Sequence, residues 1–147
     1  MATRRDCREW VVQLLFQLDL NPCDDLTAAF SRFWSDKNAP AGARQFTERH
    51  VRGVVEKRGE IDGAIRRLAE HWDLERMGVL DRNVLRMAAF EMLYCEDIPP
   101  VVSINEAVDI AKYFSSTESG RFVNGMLDAL RKGLARPARR PAGQGGG

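Results

Sequence analysis

Apolar positions recur at three- and four-residue intervals along nearly the whole chain, and no stretch alternates apolar with polar as a half-buried strand would. The spacing predicts a first helix over about Arg4–Leu20, capped by Thr3, with Trp10, Val11, Leu14, Leu15 and Leu18 forming its apolar stripe. Asn21-Pro22 ends it, because proline disfavours a helical conformation at the residue before it. A short second helix carries Leu26, Phe30, Phe33 and Trp34 on one side, and "DKNAPAG" reads as a loop. A long helical stretch follows over about Ala43–Trp72, with Phe46, Val51, Val54, Val55, Ile61, Ile65 and Leu68 as its buried side. Within it Gly53, Gly59 and Gly63 are places where the helix bends or a neighbour comes close.

The connector "DLERMG" leads to a helix over about Leu80–Glu96, with Leu85, Ala88, Ala89, Met92 and Leu93 inward. Ile98-Pro99-Pro100 breaks the chain again. Ser103-Ile104-Asn105-Glu106 has the form of a capping box, and Ser115-Ser116-Thr117-Glu118 looks like a second. The last helix contains "GRFVNGMLDAL", in which Phe122, Val123, Met126, Leu127 and Leu130 share one face. Asn124-Gly125 interrupts that face with two poor helix formers. One reading is that Gly125 lets a neighbouring helix approach and Asn124 turns inward to tie it. The reading is six or seven helices and no sheet: an all-α protein of small packed bundles joined by short connections.

Composition supports a soluble body with an appended tail. The 147 residues are 44% hydrophobic and 29% charged with a net charge of +1, enough chain for one domain with its own core. Charge is uneven, since residues 131–147 hold Arg131, Lys132, Arg136, Arg139 and Arg140 and no acid. That places the boundary at residues 1–132 for the helical domain and 133–147 for a basic, Pro/Gly-rich tail expected to be disordered. Cys7, Cys23 and Cys95 form no CxxC pair and fit reduced, structural thiols in the cytoplasm. No apolar run suits a secretory signal or a membrane span, so no membrane association is expected.

Little in the sequence points to catalysis. His50 and His71 are far apart and read as structural or surface residues. Asp24-Asp25 and Glu96-Asp97 lie at helix edges, where capping and solvation account for them. No Cys/His set has metal spacing and no Gly-rich loop follows a strand, so neither a metal nor a cofactor is expected. The positive signals are cations beside aromatics. Arg4, Arg5 and Arg8 crowd the first helix, with Arg4 and Arg8 on one face, suited to phosphate oxygens or else to a solvated face beside Asp6 and Glu9. Phe16 lies off the main stripe, as a stacking surface for a base or as an edge of the core. Lys112, Arg121 and Phe122 make a similar set around the last interhelical turn.

Residues 81–130, with the strings "INEAV", "AKYF" and "FVNGMLDAL", closely resemble the C-terminal half of the NusB family of bacterial transcription antitermination factors. "RRDCREWVVQLLFQLDL", residues 4–20, is similar to that family's arginine-rich first helix. The resemblance spans about residues 3–132, with residues 21–75 matched mainly by helix pattern. It implies two small helical bundles packed across each other, and no catalysis. It also implies binding of boxA RNA in ribosomal RNA leaders together with NusE, a small-subunit ribosomal protein. With other Nus factors, the pair helps RNA polymerase read through terminators.

Carried over by position, the resemblance implies RNA contact by Arg4, Arg5, Arg8 and Phe16. It places Glu118 close to the RNA path, where its charge restrains affinity, and Arg121 and Phe122 on the same rim. Asp81, with Glu75 and Arg76, is implied to face NusE. Two other readings remain open: the N-terminal domain of a ribosomal RNA cytosine methyltransferase, and a homodimer that hides the RNA surface.

Overall fold

The computed structural model describes residues 2–22, 25–68 and 77–135. Among them are seven helices and no strand: α1 (Arg4–Leu20), α2 (Leu26–Trp34), α3 (Ala41–Glu56), α4 (Arg58–Leu68), α5 (Val79–Tyr94), α6 (Pro100–Phe114) and α7 (Thr117–Ala135). Among the described residues no helix is long and apolar enough to cross a membrane.

The fold is organised around α5, which packs against α1, α3, α4, α6 and α7. Its residues Asn83 to Glu91 are all buried, so neighbours surround it on every side and no single stripe can describe it. The helices α1 and α3 pack on each other and on α5, as do α6 and α7, which makes α5 common to both groups. The smaller α2 is held through aromatic rings. Trp34 meets Trp10 of α1 edge-on at 5.4 Å, while Arg52 of α3 lies over Phe30 at 5.0 Å.

Several local signals act as expected. Thr3 caps α1, and Asp6, which the sequence places only beside the arginines, makes the cap a reciprocal box. Asp25 caps α2 through the Ala28 N–H, which settles one of the paired carboxylates. Cys7 and Cys95 are buried free thiols, and burial pushes the Cys95 thiol up from its ordinary range. Cys23, Asp24, His71 and Trp72 lie outside the described residues.

Other expectations are corrected. The long helix is two, broken at Lys57, and Val55 faces outward at 40% exposure. The helix α6 starts at Pro100, because proline suits a first helical position, and not at the predicted box. Ser103 and Glu106 are drawn away to partners on α5 and α1. At α7 the Ser116 hydroxyl accepts from the Ser119 N–H, so Glu118 does not complete a box. Helix α7 also runs to Ala135, past the expected tail boundary at 133, and residues 136–147 lie outside the described region.

The Asn124-Gly125 reading is also overturned. Both residues are exposed, and a Cβ at Gly125 would meet nothing within 4 Å. Nothing in the structure explains what the pair gains there. The close approach is at Gly53, where a Cβ would overlap the Phe90 ring and hold α3 away from α5.

Candidate nucleic-acid interface

The three N-terminal arginines of α1 have three different fates. Arg8 is only 4% exposed, and its fork grips Glu91 through Nε to Oε2 at 2.8 Å and Nη2 to Oε1 at 3.2 Å. Glu91 also lies 2.7 Å from His50 Nε2 and accepts from the Ser103 hydroxyl at 2.7 Å. Burial pushes the Glu91 carboxyl up, but the hydrogen bonds from His50 and Arg8 outweigh it and hold the group below the usual carboxylate range. Arg8 is therefore a buried tether between α1 and α5, not the open cation that the helix face suggested.

Arg5 reaches α6, with Nε to Glu106 Oε1 at 2.6 Å and Nη2 to Glu106 Oε2 at 2.9 Å and to Asp109 at 3.0 Å. That hydrogen bonding raises the guanidinium's proton affinity and lowers Glu106. Arg4 alone of the three is exposed with no carboxylate partner among the described residues. Its guanidinium lies 4.5 Å from the centre of the Phe46 ring. All three arginines line a groove of about 550 Å³ with Phe46, Arg49, Ile98, Pro99 and Val102.

Further along α1, Phe16 is 36% exposed and borders a mostly apolar groove of about 540 Å³ with Val12, Leu80 and Phe114. Phe114 is 37% exposed and Tyr113, which meets it edge-on at 5.2 Å, is 76% exposed. Sequence reasoning passed over both, although two consecutive aromatics on a helix cannot share one buried face.

The last interhelical turn collects the remaining expected residues. Lys112 is exposed, its stem lying against Gly120, where a Cβ would come within 2.6 Å of the Lys112 Cγ. Arg121 and Glu118 are exposed and Phe122 is half-buried against the core. Asp81 Oδ2 accepts from the Ser119 hydroxyl at 3.4 Å, and its Oδ1 is buried with no hydrogen-bond partner among the described residues. Asp81, Glu118 and Phe122 line one cavity of about 340 Å³, so the residue expected to face a protein partner adjoins those expected near RNA. Glu75 and Arg76 lie outside the described residues. Among those described, no group of His, Cys, Asp and Glu could hold a metal ion.

Residues 5–132 match the NusB family model. The chain is similar to the transcription antitermination protein NusB of Desulfosudis oleivorans, 43% identical over 143 residues, which cover 91% of this chain and 88% of the relative. Its fold is similar to that of T. maritima NusB, with a TM-score of 0.82 and 40% identity over 89% of this chain and 92% of that one. It is similar also to a crystal structure of antitermination factors NusB and NusE in complex with dsRNA, with a TM-score of 0.79 and 26% identity over 88% and 96% of the two chains.

Proposed function

The chain belongs to the NusB family, and from that membership we propose how its surface serves transcription antitermination. It binds the boxA RNA of ribosomal RNA leader transcripts together with NusE and promotes read-through by RNA polymerase. It acts in the cytoplasm by binding alone, without catalysis or a cofactor, and meets polymerase and the other Nus factors indirectly. The helical body through α7 is the RNA-binding domain, and the Arg- and Pro/Gly-rich sequence after it is a basic appendage.

The observation that carries the surface assignment is that α1 presents two different features for a single strand. An open guanidinium lies near its start, and an exposed aromatic groove lies around Phe16, roughly 18 Å further along the helix. Cations track phosphates while rings stack bases, the combination that binds unpaired nucleic acid. Arg4 meets the strand directly. Arg5 contributes charge from its half-exposed position, and Arg8 acts only by holding the helix. Phe16 and Phe114 offer faces for bases, Lys112 and Arg121 reach phosphates, and Phe122 supports that rim. Glu118 opposes the strand's charge and limits affinity. Asp81, with Glu75 and Arg76, faces NusE.

Titration of labelled boxA RNA against a scrambled strand, with and without NusE, tests this. Tighter binding of boxA than of the scrambled strand, strengthened by NusE, is expected, with salt weakening the binding of both strands. Equal affinity for both strands would overturn it. Asp81→Asn should weaken NusE binding with an unchanged denaturation midpoint; unchanged NusE binding would remove Asp81 from that face.

A further inference from the structure

The groove at the start of α1 contains more than a positive charge. Its floor is Phe46, a half-buried residue of α3 whose ring stacks on His50 with centroids 4.2 Å apart and planes 25° from parallel. His50 is fully buried and fixed at both nitrogens, Nδ1 lying 3.0 Å from the Phe46 carbonyl and Nε2 2.7 Å from Glu91. The Arg4 guanidinium lies over Phe46. Imidazole and phenyl ring thus form a stack anchored in the core, and the guanidinia of Arg4 and Arg8 lie 4.5 Å and 5.3 Å from the Phe46 centroid, Arg4 being the exposed one.

The other charges around the groove are occupied. Arg5 holds Glu106 and Asp109, Arg8 holds Glu91, and Arg49 holds Asp97 at 3.4 Å. Among the described residues Arg4 is the lining cation with no carboxylate partner. The groove also has an apolar wall of Ile98, Pro99 and the exposed Val102. A site serving phosphate alone has no use for that wall, whereas a base presents a flat apolar face with polar edges. Guanidinium planes serve as stacking surfaces for unpaired bases. At about 550 Å³ the groove is within the range of small-ligand sites.

We propose that this groove is a subsite for one unpaired nucleobase of the bound strand, which stacks on the Arg4 guanidinium against the Ile98–Pro99–Val102 wall. Phe46 is the positioning residue that holds Arg4 in the groove through its ring. The inference rests on the RNA-binding reading above.

The test is fluorescence anisotropy with labelled boxA RNA in the presence of NusE, using strands that each carry one abasic position. In the wild type, one abasic position should weaken binding about five- to tenfold, as loss of a single stacked base does. Arg4→Lys keeps the charge and loses the plane, so it should bind intact RNA weakly by a similar factor with an unchanged salt slope. In that variant the sensitive abasic position should have no further effect. Phe46→Leu should behave as Arg4→Lys does, and Phe46→Tyr, which keeps a ring, should restore wild-type behaviour. Equal abasic profiles in wild type and Arg4→Lys would overturn the subsite while leaving the proposed function intact. A wild type with no preference for boxA over a scrambled strand would overturn both.

Discussion

Replacing Arg8 with alanine separates a structural arginine from an RNA-contacting one. The substitution removes both hydrogen bonds to Glu91, whose side chain is 1% exposed, and leaves that carboxylate with His50 and Ser103 as donors. Removing one partner of a buried ion pair typically costs about 3–5 kcal/mol, since the remaining charge stays desolvated. The two surviving donors place this case at the lower end, about 3 kcal/mol. For a chain of this length that corresponds to a fall in Tm of roughly 6–12 °C. Urea denaturation followed by far-ultraviolet circular dichroism reads the change as a shifted midpoint at constant slope. Arg4→Ala, which removes only an exposed cation–π contact, should cost about 0.5–1 kcal/mol yet weaken RNA binding more than its stability change explains. An Arg8→Ala protein with an unmoved midpoint and lost RNA affinity would refute this assignment and return Arg8 to the RNA surface.

The two glycines that matter should respond in opposite directions. Gly53→Ala drives a methyl group into the Phe90 ring and should destabilise the fold by about 1–3 kcal/mol; a neutral midpoint would mean that the ring yields freely. Gly125→Ala fills open space on a helix and should stabilise by about 0.5–1 kcal/mol, and a loss of stability would show a constraint on α7 absent from these contacts. Acid should weaken the fold through Glu106 and Glu91, both held below their ordinary value of 4.5, Glu106 chiefly by the Arg5 hydrogen bond and Glu91 by His50 and Arg8 against its burial. A lowered folded-state value contributes stability that is present above the unfolded value and is lost as pH falls through the folded one. Stability should therefore decline below about pH 4.5, less steeply in Glu106→Gln than in wild type. Superimposable acid limbs for the two proteins would count against the Arg5–Glu106 bond.

Local signals made most helices legible, and they failed where a distant group competed. Thr3 was readable as a cap because the N–H it accepts from lies within one turn. The Ser103–Glu106 box had the right spacing but lost both side chains, Ser103 to Glu91 and Glu106 to Arg5 across 101 residues. The same limit applied to the basic helix. Periodicity placed Arg4 and Arg8 on one face, which is correct, since both guanidinia approach the Phe46 ring. It could not show that one of them is buried against a carboxylate 83 residues away. Phe114 was inside a quoted family string and still went unassigned, because its exposure depends on how α6 ends beside Phe16.

By itself the sequence determined the all-helical class, the positions of most breaks, the family and the presence of cations and rings on α1. Apolar period, proline stereochemistry and short-range capping are properties of neighbouring residues. Tertiary structure alone decided which arginine faces solvent, which glycine admits a neighbour and which aromatic stays uncovered. Each of those outcomes depends on what another helix brings within a few ångströms, and no spacing along one helix encodes that distance.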